Sequence, residues 1–130
     1  MNYQEKLNYG QAMSILADWN YTTVIRTHYK LKPHIGDRKV KHLIQSKNVN
    51  AVFYSIEEDV DAYLSDNRGI NHAHFLLSCN THPTREFFSE AMGVNIKAVL
   101  NVEKVKFQEE ISKYVTKRLD NHGSHHNFFF

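Results

Sequence analysis

Four segments of this chain have the residue pattern of β-strands, either rich in β-branched residues or with side chains that alternate between two faces. The segments are residues 21–28, 50–57, 70–77 and 96–105. We expect four strands, the last of them amphipathic. Alternation divides the second strand into two faces. One carries Val52, Tyr54 and Ile56, and the other carries Ala51, Phe53, Ser55 and Glu57.

Helical periodicity is found between and after these strands. Residues 11–19 and 38–47 can form helices, and a last helix is expected over residues 106–119. The last helix has an apolar stripe with a repeat of four residues. This stripe consists of Phe107, Ile111, Val115 and Leu119.

Cap and turn residues predict one more helix after the third strand. Thr81 suits its cap, Pro83 its first position and Gly93 its end. Strands interspersed with helices, joined mostly by non-parallel connections, indicate an α+β fold with helices on the face of a sheet. The strands could pair antiparallel, and a fifth strand could come from residues 36–41.

Length and composition suit one domain. The chain has 130 residues, 42% of them hydrophobic, and we expect a domain over residues 1–120 and a flexible polar tail over 121–130. There is no apolar run of the roughly 20 residues that a membrane-spanning helix needs, and no signal peptide is recognisable. We expect a soluble, cytoplasmic protein that does not enter membranes. Cys79 is the single cysteine, and a packing role is expected for it.

Charge is unevenly distributed although the net charge is only +2. Between positions 26 and 41, Asp37 is the only acid among six basic residues, which suits contact with a phosphate backbone. The six are Arg26, Lys30, Lys32, Arg38, Lys39 and Lys41. Residues 57–66 instead hold five acids, which suit a cation. Each segment also fits an ordinary solvated surface.

The third predicted strand carries His72 and His74. Successive side chains in a strand point to opposite faces, so both imidazoles share one face while Ala73 and Phe75 take the other. Two imidazoles on one face can converge on a metal ion. Because the chain has nine histidines, one such pair is expected roughly once by chance, and a second element is needed.

That second element is the stretch Tyr114-Val115-Thr116-Lys117 on the last predicted helix. Tyr114 falls at the edge of the apolar stripe, with its hydroxyl able to reach an open site, and Lys117 lies about 60° further toward solvent. Tyr-x-x-Lys occurs twice more, at Tyr3 and Tyr29, so context has to choose. A paired-histidine strand followed by a late tyrosine helix resembles the HUH endonucleases.

Within that superfamily the chain most resembles the single-tyrosine rolling-circle replication initiators of phages, archaeal viruses or plasmids. The resemblance covers about residues 20–119. It implies a ferredoxin-like α+β fold, with a central antiparallel sheet of four to five strands flanked by helices. Two departures are Ala73, where a bulky hydrophobic residue is usual between the histidines, and the lack of a second tyrosine near Tyr114.

The resemblance also implies a chemistry. A divalent ion, Mg²⁺ or Mn²⁺, would polarise the scissile phosphate of single-stranded DNA, and Tyr114 would attack that phosphate. Lys117 would favour the phenolate or steady the phosphate. The implied metal ligands are His72, His74 and Glu57, with Glu58 as the alternative. Strand alternation allows one of the two acids but not both.

The products would be a 5′-phosphotyrosine link and a free 3′-hydroxyl, so the strand could later be rejoined. The implied partners are single-stranded DNA or an origin hairpin, with a separate helicase and polymerase. The oligomeric state is left open, a homodimer included. Arg38, Lys39 and Lys41 would position the strand without reading bases.

Two other functions fit the sequence. One is a small HUH transposase, although Arg118 stands where a glutamine is usual in those proteins. The other is a non-enzymatic module that binds single-stranded nucleic acid by stacking bases on aromatic residues of the sheet. The candidates for stacking are Tyr21, Phe53, Tyr54 and Phe75.

Overall fold

The structure, a computed structural model, describes residues 4, 5, 8, 12, 16–27, 31–58, 71–105 and 125–130, with the backbone alone at 57, 58 and 71. Its centre is a five-stranded antiparallel sheet in the order β4-β1-β3-β2-β5. The strands are β1 (Tyr21–Thr27), β2 (Val49–Glu58), β3 (Asn71–Cys79), β4 (Glu103–Lys104) and β5 (His125–Phe129). In the described part, the helices are α1 (Pro33–Ile44) and α2 (Arg85–Met92), followed by a 3₁₀ turn (Ile96–Ala98). The predicted α+β fold is confirmed.

Both α-helices pack against the same face of the sheet, which we call the helix face. Val40 and Leu43 of α1 and Phe88 of α2 meet Tyr54 and Phe75 of the sheet in the main core. On the other face, a smaller cluster covers one end of the sheet. It consists of Trp19, Ala51, Phe53 and Leu76. The predicted division of β2 into two faces is therefore confirmed.

The fifth strand predicted over residues 36–41 is wrong, because these residues lie inside α1. The helix begins at Pro33. The N–H that proline lacks would have no hydrogen-bond partner within the helix at this first position, so the helix loses no hydrogen bond there. Gly36 is used for close approach: a Cβ placed there would lie 2.8 Å from Ile56 Cδ1 and 3.0 Å from Tyr54 Oη. The helix needs this glycine to lie against β2.

The strand predicted over residues 96–105 is wrong for most of its length. Ile96–Ala98 forms a 3₁₀ turn because the Asn95 side chain accepts a hydrogen bond from Lys97 N at 2.9 Å, a local bond that competes with strand pairing. The segment then meets β1 through the isolated bridge between Ile25 and Val99. Only Glu103–Lys104 pairs with β1 as a strand.

The helix predicted after β3 is confirmed, with a different cap. Thr84, and not Thr81, accepts the capping hydrogen bond from Phe87 N at 3.1 Å. Pro83 precedes this cap. Gly93 ends α2 as expected, in the left-handed conformation with φ 63° that favours glycine.

The flexible tail predicted over residues 121–130 is wrong for His125–Phe129, which form β5 on the outer side of β2. The alternation of this strand explains the difference. Phe129 packs against the main core, while Phe128 stacks on Phe53 with ring centroids 4.7 Å apart. A segment that looks polar therefore contributes aromatic residues to both faces of the sheet.

Cys79 is buried in the main core, as expected, and burial raises the pKa of its thiol to about 11. The helix predicted over 106–119 lies outside the described residues, as does most of the one over 11–19. None of the helices that the structure describes has the length and apolar character needed to cross a bilayer.

Candidate active site

The histidine pair lies on the face of β3 that points away from α1 and α2. Ala73 and Phe75 are buried in the main core, whereas His72 and His74 are half-buried on the other side. The shared face predicted for the two imidazoles is confirmed. Their ring centroids are 6.1 Å apart. Two ring nitrogens each about 2.1 Å from one ion at the tetrahedral angle would place the ring centroids roughly 5 Å apart, so the imidazoles would have to rotate toward each other to share an ion.

The antiparallel register aligns the residues of this side, which we call the histidine face, in rows across the sheet. The first row consists of Arg26, His72 and Glu57. The second consists of Val24, His74, Ser55 and His126. The third consists of Thr22, Leu76, Phe53 and Phe128.

The register separates the two candidate acids. Glu57 is the partner of His72, so its position in the pleat belongs to the histidine face. Glu58 is the partner of Asn71 and belongs to the helix face. Among the side chains that the structure describes, which exclude that of Glu57, no three His, Cys, Asp or Glu residues form a group that could hold a metal.

Arg26 brings a positive charge to the pair. Its exposed guanidinium donates from Nε to His72 Nε2 at 2.5 Å. Because His72 Nε2 accepts this hydrogen bond, that nitrogen can bind another ligand only if Arg26 releases it. A guanidinium at this point suits an oxyanion such as phosphate.

The other basic residues lie elsewhere. Arg38, Lys39 and Lys41 belong to α1, on the helix face, and Lys32 immediately precedes this helix. Lys39 Nζ donates to Met92 O at 2.9 Å, at the end of α2 where a cation is favourable. The structure therefore does not bring these predicted DNA contacts together with the histidine pair. Lys30 lies outside the described residues.

The predicted catalytic residues Tyr114 and Lys117 also lie outside the described residues. Their placement beside the histidine face stays a prediction. The same holds for the competing tyrosines, Tyr3 and Tyr29. The choice among the three Tyr-x-x-Lys stretches therefore still depends on the sequence.

Two residues of the second row were not predicted as site residues. Ser55 is fully buried between the positions of His74 and His126, and its hydroxyl has no hydrogen-bond partner in the part of the chain that the structure describes. Such burial costs about 1–3 kcal/mol, so this hydroxyl is a marked polar feature of the face. Burial, assisted by the charge of His125, lowers the pKa of His126.

The sequence held a weak signal for His126. In the stretch 125–129, alternation would place His126 and Phe128 on one face and His125 and Phe129 on the other, as observed. Five residues next to the chain end are too few to distinguish such a strand from a polar tail. The pairing of residues 125–129 with β2 is what identifies this segment as a strand.

A groove of about 570 Å³ runs beside His74, between β1 and the segment that leads to β4. Its wall includes side chains suited to hydrogen bonding. Among them are Thr22, Arg85, Asn101 and Glu103. The volume lies within the range of sites for small organic ligands, and a nucleotide is of that size.

A second polar cluster lies on the helix face. Asp37 accepts hydrogen bonds from Tyr54 Oη, from His125 Nε2 at 2.9 Å and from Asn127 Nδ2 at 3.4 Å. Burial alone would raise the pKa of Asp37, but these hydrogen bonds outweigh it and lower the pKa. Burial and the Asp37 carboxylate raise the pKa of Tyr54 far above its usual value. Tyr54 therefore stays protonated and acts as a structural donor.

Searches with models of protein families, among curated proteins and among solved structures found no match to this chain. The class that the fold and the site define is an α+β domain with paired histidines on the face of an antiparallel sheet that points away from α1 and α2. Its function has to be argued from the chemistry of that face.

Proposed function

We propose that this protein is a metal-dependent endonuclease that nicks and rejoins single-stranded DNA through a tyrosine and so initiates rolling-circle-type replication. The observation that carries the proposal is the row that aligns Arg26, His72 and Glu57 next to His74. It combines two imidazoles, a carboxylate position and a guanidinium on a single face. This combination suits a divalent ion together with a phosphate.

The residues that would hold the ion are His72, His74 and Glu57. Two imidazoles and one carboxylate form a donor set that Mn²⁺ accepts readily and that leaves room for phosphate oxygens around Mg²⁺. When bound, such an ion withdraws charge from the scissile phosphate. Arg26 can donate to a second oxygen of that phosphate, because its guanidinium offers donors besides Nε.

Tyr114 is the proposed nucleophile. Its phenolic oxygen forms a bond to phosphorus as the bond from phosphorus to the 3′-oxygen breaks, and the linkage energy is retained in a 5′-phosphotyrosine. The phenolic proton passes to solvent, and the departing 3′-oxygen takes up a proton. Lys117 would favour the phenolate. Attack by the 3′-hydroxyl on the phosphotyrosine reverses the reaction and rejoins the strand.

The groove beside His74 supports a nucleotide substrate, since its size suits one nucleotide adjacent to the metal position. The proposed setting is the cytoplasm of a host cell, with a separate helicase and polymerase. A small transposase would use the same chemistry on different DNA. An origin hairpin beside the gene would support initiation, whereas paired element ends would support transposition.

The binding-module alternative has less support. Stacking of bases requires exposed rings, yet Phe53, Tyr54 and Phe75 are fully buried. Among the four aromatic residues considered for this role, Tyr21 alone is partly exposed, and it packs against His82 with ring centroids 4.7 Å apart. A stacking platform of this kind is therefore not favoured.

The decisive experiment looks for the covalent intermediate. The protein is incubated with labelled single-stranded oligonucleotides and Mn²⁺, and the adduct is resolved by denaturing electrophoresis. We expect an adduct with the parent protein and none with Tyr114→Phe or His72→Ala. Tyr29→Phe is the matched control, because Tyr29 begins a second Tyr-x-x-Lys stretch, and it should leave the adduct intact. An adduct that persists in Tyr114→Phe would show that the nucleophile is a different residue.

A further inference from the structure

We propose that the groove beside His74 binds a guanine base of single-stranded DNA, and that Glu103 determines this specificity. We call this site the guanine groove. Its lining consists of residues 22–24, 74, 85, 99–101 and 103. The inference rests on the proposed function in one respect, namely that the ligand is single-stranded DNA. It gives β4, at the edge of the sheet, a role in selecting the DNA that is cut.

The groove lies where the register of this sheet edge shifts by one residue. Thr22 pairs with Glu103 of β4, whereas Ile25 meets Val99. Two residues of β1 therefore lie opposite three residues of the facing segment, 100–102, which is the arrangement of a β-bulge. A bulge interrupts the regular pairing of the strands, and the groove lies beside this interruption.

Thr23 fixes the bulge. Its buried hydroxyl donates to the carbonyl oxygens of Leu100 at 3.2 Å and of Asn101 at 3.3 Å. Leu100 N donates in turn to Val24 O at 2.9 Å. These bonds hold the segment against β1 and leave a space of about 570 Å³ beside it, with Leu100 and Asn101 exposed to solvent. The groove is therefore part of the folded edge and is accessible to a ligand.

Leu100 and Val24 give the groove an apolar surface for the flat face of a base. Leu100 is a large hydrophobic residue with 48% of its surface exposed, and a base lying on it would remove part of this surface from water. Ligand sites commonly combine apolar walls of this kind with a few polar groups. Because every base has such a face, this contact provides affinity, and specificity has to come from the polar groups.

Glu103 is the polar group that would select the base. Its pairing with Thr22 places it on the histidine face, as an extension of the third row. An ionised carboxylate only accepts hydrogen bonds, and it has two oxygens to do so. Guanine alone among the four DNA bases has two adjacent donors, N1–H and N2–H, on its pairing edge. The other bases place an acceptor beside the donor, which a carboxylate would repel.

Arg85 and His74 connect this base to the rest of the proposed substrate. Arg85 donates from Nε to Val99 O at 2.8 Å and from Nη2 to Ile96 O at 3.1 Å, which fixes its side chain in the groove lining. A guanidinium has five N–H donors, so it can also contact the phosphate attached to the base. His74 belongs both to the groove lining and to the proposed metal ligands. A base in the groove would therefore lie next to the scissile phosphate.

The test uses the four deoxynucleoside monophosphates as probes, with the full-length protein and without divalent metal, so that no cleavage occurs. The methyl signals of Val24 and Leu100 are followed by NMR as each nucleotide is added up to millimolar concentration. We expect saturable shifts with all four. The guanine nucleotide should bind about tenfold more tightly than the others, the effect expected for a pair of hydrogen bonds to an exposed carboxylate.

Two variants at exposed positions separate specificity from affinity. Glu103→Gln replaces one acceptor by a donor, so the guanine nucleotide should bind no more tightly than the other three. Leu100→Ala should weaken all four about threefold and keep the preference for guanine. Glu90→Gln is the matched control, because it makes the same change at an exposed acid of α2 outside the groove lining, and it should bind like the parent.

Three results would each reject the guanine groove. These are equal binding of the four nucleotides to the parent, methyl signals that respond to none of them, and a preference for guanine that persists in Glu103→Gln. Short single-stranded oligonucleotides distinguish DNA from free nucleotide. One guanine among thymines should increase affinity over thymines alone, and Glu103→Gln should remove the difference. A preference seen only with the free nucleotide would mean that the groove does not recognise DNA.

These results are independent of the endonuclease proposal. The titrations require neither Tyr114 nor a metal ion, so a preference for guanine without any covalent adduct would retain the groove and reject the endonuclease. An adduct formed by a protein that binds all four nucleotides equally would do the opposite.

Discussion

Individual polar residues of the sheet take their roles from their position in the pleat. A shift of one residue moves a side chain to the opposite face, so two adjacent acids in β2 can have unrelated roles. Glu57 pairs with His72 on the histidine face, and Glu58 pairs with Asn71 on the helix face. The sequence alone left this choice open, because it depends on the register between β2 and β3.

The first residue-scale prediction concerns this pair of acids. Glu57→Gln should weaken Mn²⁺ binding at least about tenfold, because loss even of a residue that only orients a metal ligand costs about 10–100-fold in affinity. Glu58→Gln is the matched control and should bind Mn²⁺ like the parent. Titration calorimetry measures both. A larger loss in Glu58→Gln than in Glu57→Gln would contradict the assigned register or the assigned site.

At the scale of elements, the long central strands were predictable and the short outer ones were not. β1, β2 and β3 each have seven or more residues, which is long enough for β-branched content or two-face alternation to mark them in the sequence. β4 has two residues and β5 has five, and both depend on pairing with a distant partner. The long strands sufficed to predict the histidine pair, but Ser55 and His126 become neighbours only when β5 is placed.

Gly36 is the position where α1 approaches β2 closely enough to exclude a side chain. Gly36→Ala would place a Cβ 2.8 Å from Ile56 Cδ1 and 3.0 Å from Tyr54 Oη. Ile56 can move its terminal methyl group, but Tyr54 is tied to Asp37 by a hydrogen bond. Overpacking of this kind costs about 1–3 kcal/mol, and alanine regains about 0.5–1 kcal/mol through its helix propensity.

We therefore expect Gly36→Ala to lower the free energy of unfolding by about 1–2 kcal/mol, measured by urea denaturation. Lys41→Ala is the control in the same helix. It changes an exposed position and should alter stability by no more than about 0.5 kcal/mol. A stabilised Gly36→Ala protein would mean that α1 does not lie as close to β2 as observed.

At the scale of the whole molecule, one face of the sheet is closed by helices and the other carries the polar rows. Asp37 connects distant parts of the chain on the closed face, since it binds Tyr54 of β2 and also His125, which is 88 residues away in sequence. Because His126 is the next residue of β5, the same carboxylate that holds His125 also positions the strand that places His126 beside Ser55 on the histidine face. The stability of β5 and the geometry of the histidine face are thereby linked.

This link predicts a pH dependence. The pKa of Asp37 is lowered in the folded protein from its ordinary value of 3.8, so the folded state favours the carboxylate. Its stabilising contribution is complete well above pH 3.8 and is lost as the pH falls through that value toward the lower pKa of the folded state. Asp37→Asn should lower the free energy of unfolding by about 1 kcal/mol at neutral pH, because the charge-assisted hydrogen bonds to His125 and Asn127 are weakened.

Denaturation of the parent and of Asp37→Asn across the acidic range checks this prediction, since the difference between the two should shrink as the pH falls below about 4. Glu90→Gln changes an exposed acid of α2 and serves as the control. Hydrogen exchange locates the effect: in Asp37→Asn the amides of β5 should exchange faster than those of β3, because side chains of β5 bond to this carboxylate whereas none of those described for β3 does. A stability difference that stays constant down to pH 3, or equal acceleration in both strands, would mean that Asp37 does not fasten the last strand through its charge.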